Sequence, residues 1–240
     1  QLFQAEKLTT HKAELAEYQK KNLPTDELDS QYDMLKKLEL SPSVFLRLAD
    51  YCSIQGIEFL STAFDADSLN FLVDDIGIKK LKIASGELTN APFLLDHAKT
   101  GLDIILSTGM STLHEIEEAL GILAFGYLNL KGYPSKALIS EIMKSNEARE
   151  IISERITLMH CTSAYPAPID QLNLLAMQSL RDEFKTRIGY SDHSTGTLIS
   201  PIAVAMGASV IEKHFTKSKD MIGPDHQASL EPNELLRMIL

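Results

Sequence analysis

No apolar stretch in these 240 residues approaches the roughly 20 that a bilayer span needs, so no membrane partner is expected. Basic clusters are missing as well: 23 Lys and Arg stand against 33 Asp and Glu, a formal charge of −10. Nucleic-acid binding rests on neutralising phosphates with clustered Lys and Arg, so no nucleic-acid partner is expected either. An acidic surface still leaves room for a locally cationic site and an anionic substrate. Cysteine is scarce, with Cys52 and Cys161 in different elements and no CxxC spacing; this reads as two reduced thiols in a cytoplasmic protein. No GxGxxG follows an apolar run, which removes the phosphate fingerprint of an open, doubly wound sheet. No signal-peptide pattern is visible at the start. The chain opens on Gln1, directly in a strand-like QLF, so the beginning of the natural protein is expected to be missing.

What is present is rhythm. Hydrophobic residues make up 44% and charged residues 23%, ordinary for a globular chain, and the length suits one β/α barrel of about 250 residues. The apolar runs LKIASGE (81–87), IILSTG (104–109), ITLMHCTSAY (156–165), RIGYSDH (187–193) and VIEKHF (210–215) each end in polar residues, and a helical stretch follows each. Runs too apolar to alternate imply a parallel sheet buried on both faces, with its active site at the carboxyl ends of the strands. A further strand is predicted at 57–64 and the tail of another at 1–3, giving seven. The fold class is therefore an α/β barrel of the TIM (β/α)₈ type lacking its first βα unit. Residues 4–40 read as a long mouth loop bearing short helices, YQKKNLPTDELDS included. Ser41-Pro42 opens a helix with an apolar stripe at Phe45, Leu46, Leu48 and Ala49, ending near Gly56. Asp65 caps the helix 65–77, Thr112 and Glu115 have capping-box spacing, and 127–150 reads as an insertion with a helix after Asn146.

The strand ends carry the chemistry. His193 and His214 end consecutive strands, which places two imidazoles side by side; they are either ligands of one divalent metal or hydrogen-bonded structural residues. Asp192 would orient a ligand or cap the next helix. Lys82, Ser85 and Glu87 cluster at another strand end. A buried ammonium there calls for an anionic ligand, or for an internal ion pair with Glu87 or Glu212. Ser85, Ser107 and Thr62, with backbone N–H groups freed by Gly86 and Gly109, would complete a phosphate or carboxylate cradle. Asp225 and His226 after Gly223-Pro224 suit hydroxyl recognition or an ordinary turn. Tyr165 would stack on a ligand or close the barrel top.

The stretches FLSTAFD, KIASGELTN, ILSTGMSTLHE, LMHCTSAYP, IGYSDHS, IEKHFT and GPDHQASLEP, in this order, resemble the sialic acid synthase family, the bacterial N-acetylneuraminate and legionaminate synthases. The resemblance covers nearly the whole chain. It implies condensation of phosphoenolpyruvate with an N-acyl hexosamine to a nine-carbon 2-keto-3-deoxy acid plus phosphate. It implies a divalent metal, manganese first and magnesium or cobalt as alternatives, on His193 and His214. Glu87 and Lys82 take catalytic roles by the same match, Gln1, Thr62, Lys82, Ser85 and Ser107 hold phosphoenolpyruvate, and Ser163, Tyr165 and Asp225 lie with the sugar. The motif wording favours the legionaminate type, with N-acetylneuraminate and pseudaminate synthases as siblings. A homodimer is implied at full length. Residues 1–240 would be a partial catalytic barrel, truncated at both ends, without the family's small C-terminal antifreeze-like domain. Ala63 stands where a proline is usual, and Ser163 where some members carry asparagine. Outside the family, a non-catalytic sugar- or phosphate-binding barrel and a metal-dependent isomerase remain; the isomerase would need a third carboxylate ligand, for which Glu212 is the nearby candidate.

Overall fold

Each apolar run that the sequence marks becomes a strand where a neighbouring run can take its N–H and C=O groups. In the computed structural model, which describes residues 1–23 and 30–240, these are β1 (Lys80–Ile83), β2 (Asp103–Ser107), β3 (Ile156–Cys161), β4 (Arg187–Asp192) and β5 (Ile211–Lys213). They pair in parallel in chain order, β1-β2-β3-β4-β5. Helices fill every connection: Ala91–Lys99 after β1, Leu113–Tyr127 after β2, Ala176–Phe184 after β3 and Ile199–Ala205 after β4. Leu81, Ile83, Ile104, Leu106, Ile156, Leu158 and Ile188 are buried beneath them in one apolar cluster. The sheet is strongly curled. β1 and β5 stand at opposite ends of the order, yet Lys82 Nζ lies 3.6 Å from Glu212 Oε2. A flat sheet would hold those strands about 19 Å apart at the usual spacing of about 4.8 Å. The result is a half-barrel with its polar strand ends on the concave side.

Local signals act as read. Asp65 accepts the Ser68 N–H at 3.0 Å, and that helical stretch stops at Gly77 with φ of 72°. Thr112 and Glu115 cap each other reciprocally, and Gly56 closes the helix Pro42–Gln55 in the left-handed conformation. Residues 4–40 carry the short helices Ala5–Leu8, Glu17–Asn22 and Gln31–Leu38. Part of YQKKNLPTDELDS, residues 24–29, falls outside the described residues.

Three expectations change. The strand at 57–64 shrinks to two bridges, Thr62 to Lys82 and Ala63 to Leu2, and the strand tail 1–3 shrinks to Leu2 alone. Ile57, Glu58 and Leu60 are exposed, so burial does not drive a ladder there. The helix stripe at 45–49 is narrower than read: Phe45 is buried while Leu46 and Leu48 are 42% and 41% exposed. The insertion at 127–150 contains the helix Lys136–Ile142, which sequence reading missed, besides Asn146–Arg155. Ser135 caps it, and it packs so closely on the preceding helix that a Cβ on Gly121 would sit 2.4 Å from Ile139 Cγ2.

Candidate active site

Strand alternation decides which polar residues face the concave side, since residues two apart share a face. Lys82 and Ala84, Cys161 and Ser163, Ser191 and His193, and Glu212 and His214 are such pairs, and all eight line one cavity of about 580 Å³. That volume is within the usual range for a small-molecule site. Of the residues marked in the sequence, Gln1, Thr62, Lys82, Ser85, Ser107, Ser163, Tyr165, His193 and His214 line it together.

The β1–β2 side is built around Lys82. The residue is 6% exposed, and its ammonium donates to Ser107 Oγ at 2.7 Å and to the Ile83 carbonyl at 3.1 Å. The ion pair with Glu212 forms, loosely, at 3.6 Å; the one with Glu87 does not form. Gly109 was expected to offer a free N–H, but it donates to Ser85 Oγ at 2.9 Å, so the cradle is partly self-satisfied. Cys161 Sγ lies 3.3 Å from the same Ser85 oxygen, and both cysteines are free thiols. A Cβ on Gly109 would lie 2.5 Å from Ser163 Oγ, 2.8 Å from Cys161 Sγ and 2.9 Å from Ser85 Oγ. Only glycine lets the three strand ends converge so tightly.

The β3–β5 side is aromatic. Tyr165 packs on His193 with ring centroids 4.2 Å apart and meets His214 edge-on at 5.6 Å, while the two imidazoles stand 5.7 Å apart. Tyr18, from the helix Glu17–Asn22, lies over Tyr165 at 5.3 Å, and Asn22 donates to the Pro224 carbonyl at 2.7 Å. That short helix thereby roofs the mouth. Burial pushes the Tyr165 hydroxyl far above the ordinary phenol range, so it stays a proton donor.

His193 Nδ1 donates to the Thr162 carbonyl at 2.7 Å. Burial is the main cause holding its pKa below the ordinary imidazole value; the Thr162 bond opposes this and His214 adds to it. The ring is therefore neutral, with its lone pair on Nε2. Ser191 Oγ is 3.2 Å from that nitrogen but gives its proton to Glu212 Oε1 at 2.7 Å. Nε2 is left as an acceptor, the form a metal requires. Imidazole nitrogens suit a borderline divalent cation, so the donor set fits one held by His193 and His214, with its other positions left to water or substrate oxygens. Among the described residues no three His, Cys, Asp or Glu gather as a metal cluster.

Of the marked residues, Glu87, Asp225, His226 and Asp192 lie outside the cavity lining. Glu87 sits in the turn Ser85–Glu87, where its carboxylate accepts from Asn90 Nδ2 at 2.8 Å. Asp225 stands at the rim, Oδ2 3.8 Å from His214 Nδ1, and its Oδ1 is buried without a hydrogen-bond partner among the described residues. His226 is spent on Thr216 Oγ1 at 2.8 Å, so it braces the turn. Asp192 does not touch His193's ring; it holds the turn that follows, through the Ser194 N–H at 2.9 Å and Ser200 Oγ at 2.6 Å. Sequence reading missed Ser191 and Lys213 and treated Glu212 mainly as an ion-pair partner. The signal was available, because Ser191 and Glu212 each stand two places before a marked histidine.

Known proteins resemble this chain over most or all of its length. N,N'-diacetyllegionaminic acid synthase from Legionella pneumophila is 44% identical over 239 residues, covering 100% of this chain and 60% of that protein. The protein of the same description from Campylobacter jejuni is 47% identical over 235 residues, covering 98% and 63%. The crystal structure of N-acetylneuraminic acid (sialic acid) synthetase from Leptospira borgpetersenii, in complex with citrate, matches with a TM-score of 0.72 at 35% identity, covering 87% of this chain and 64% of that one. The chain spans about three fifths of the length of the curated relatives it matches. The NeuB family model matches residues 1–240, and the chain belongs to the NeuB family.

Proposed function

We propose that this chain carries the barrel site of a nonulosonic acid synthase that condenses phosphoenolpyruvate with an N-acyl hexosamine and releases inorganic phosphate. The sugar is proposed to be of the legionaminate type, a 2,4-diacetamido-6-deoxy mannose derivative, in keeping with relatives at 44% and 47% identity. One observation supports the reading above the others: an anion-suited group and an aromatic, imidazole-bearing group face each other across a single cavity. Lys82, Ser107, Ser85 and Thr62 would hold the charged phosphate and carboxylate of phosphoenolpyruvate. Tyr165, with Asp225 at the rim and Ser163 beside Gly109 and Ser85, would orient the sugar, and Gln1 would lie toward the phosphoenolpyruvate end.

His193 and His214 would hold a divalent cation, Mn²⁺ in the first instance and Mg²⁺ or Co²⁺ as alternatives. When bound, it would supply Lewis-acid polarisation of the sugar aldehyde. C3 of phosphoenolpyruvate attacks that carbonyl carbon, water adds at C2, and the C2–O bond to phosphate breaks. Lys82 offsets the charge that leaves with phosphate. Tyr165, held protonated, donates to a sugar oxygen. A carboxylate must manage the proton of the attacking water. Glu87 is the residue the family match gives, whereas Glu212 is the one that faces the cavity, bonded to Ser191. Glu87→Gln and Glu212→Gln variants decide between them: the one that keeps full turnover leaves the mechanism.

No helix among the described residues is long and apolar enough to cross a membrane. The whole protein is proposed to work in the cytoplasm as a homodimer with a C-terminal antifreeze-like domain. The test is phosphate release from phosphoenolpyruvate with Mn²⁺ and a panel of N-acyl hexosamines, run on protein of the relatives' full length. Release with one diacetamido sugar at least tenfold faster than with N-acetylmannosamine is expected. No release with any sugar would leave a binding barrel, and turnover without phosphoenolpyruvate would point to an isomerase.

A further inference from the structure

Beside the two histidines, with Lys213 reaching the cavity wall, lies a charge pair to which the proposed reaction gives no role. Asp192 and Lys213 are register partners on β4 and β5, and each is the residue immediately before a histidine, His193 or His214. Their side chains are 0% and 4% exposed, and Nζ stands 3.1 Å from Oδ2. Asp192 Oδ1 also accepts from the Ser194 N–H at 2.9 Å and its hydroxyl at 2.6 Å, and Oδ2 accepts from Ser200 Oγ at 2.6 Å. Lys213 in turn donates to the Ser194 carbonyl. His193 is thus flanked by two residues of one closed network, while its own carbonyl accepts from Ala167 N at 2.9 Å.

Stability alone does not account for such a pair. Taking two charges out of water costs several kcal/mol per ion, and apolar residues of similar volume commonly serve as well or better. A saturated network between two strand ends does fix geometry, and geometry is what two imidazoles aimed at one point require. We propose that Asp192 and Lys213 form a positioning clamp that locks the β4 and β5 ends so that His193 and His214 face a common site. The clamp rests on the reading that these histidines share a cation, and its test separates the two.

The variant for the test is Asp192→Asn/Lys213→Met, which removes both charges and leaves no lone buried ion. Ser200→Ala is a milder second variant, and Lys213→Arg is the conservative rescue. Thermal unfolding follows the fold. Binding of Mn²⁺ alone, followed by electron paramagnetic resonance, and the ¹⁵N signal of the His193 Nδ1–H, followed by nuclear magnetic resonance, report on the site. In the folded double variant, Mn²⁺ affinity is expected to fall 10- to 100-fold, the range for losing groups that orient metal-bound histidines. The Nδ1–H signal should broaden or vanish, Ser200→Ala should shift both readouts less, and Lys213→Arg should restore most of the affinity. Affinity within twofold of native, with an unchanged histidine signal, overturns the clamp. A native chain that takes no Mn²⁺ while the histidine signal still responds to the variants overturns the metal reading and leaves the clamp standing.

Discussion

Where the ends of β1, β2 and β3 meet, the tolerance is smaller than one methyl group. Gly109→Ala would push into Ser163, Cys161 and Ser85 at 2.5–2.9 Å, so three side chains would have to shift at once. Over-packing of this kind costs about 1–3 kcal/mol. The expected outcome is a folded protein whose affinity for inorganic phosphate, measured by calorimetric titration, falls at least tenfold. His97 shows the opposite problem, a polar atom with too little company. Its Nδ1 donates to the Phe93 carbonyl at 2.8 Å, but Nε2 is buried and unpaired among the described residues, and burial lowers its pKa. Between that lowered value and the ordinary imidazole value of about 6.5, the unfolded chain binds a proton that the folded one refuses. Stability is therefore full above that ordinary value and falls as the pH drops below it. The urea midpoint should be lower at pH 5.5 than at pH 7.5, and His97→Gln should shrink the difference. His97 shares the apolar face of its helix with Phe93, Leu94 and Ala98, a spacing that points to burial but does not tell that one ring nitrogen goes unpaired. The position of Glu87 outside the cavity lining was not legible either: strand parity stops at the strand end, and the turn Ser85–Glu87 carries the carboxylate away.

An element of this fold is held by what its neighbours leave empty. Gly189 lies inside β4, where a Cβ would approach Met159 Sδ at 2.3 Å and the Val210 carbonyl at 2.7 Å. The methionine could bend aside, but the backbone oxygen could not. Gly189→Ala is expected to lower the free energy of unfolding by about 1–3 kcal/mol, read as a shift in urea midpoint with unchanged slope. At this scale the chain was readable where apolar runs end in polar residues, because that pattern reflects burial on both faces of a parallel strand. It was less readable at 57–64, whose composition suits a strand but whose neighbours supply only the bridges at Thr62 and Ala63. The helix Lys136–Ile142 hid behind Gly132 and Pro134, which read as irregular structure. Its Ser135 cap and the Gly121 contact are tertiary facts that spacing does not encode.

Across the whole molecule, the order of motifs was enough to name the architecture, because a barrel puts every strand end at one mouth whatever the loops do. The curl that a barrel implies shows where β1 and β5 come round to face one another: Lys82 meets Glu212 at 3.6 Å, one of the two partners the sequence offered it, and which of the two it takes was not legible. That meeting has a consequence for binding. Lys82 is already occupied by a negative charge of the chain's own, so an arriving anion replaces a resident instead of filling a vacancy. Because Glu212 is partly exposed, the pair is worth only about 0–1 kcal/mol. Glu212→Gln should therefore tighten the binding of inorganic phosphate by about fivefold or less, measured by the same calorimetric titration. Affinity that is unchanged or weaker would mean that Glu212 does not compete for Lys82. If it does compete, each ligand departure is helped by a carboxylate waiting to return. The curl of the sheet would then set a rate as well as a shape: how readily a bound anion leaves.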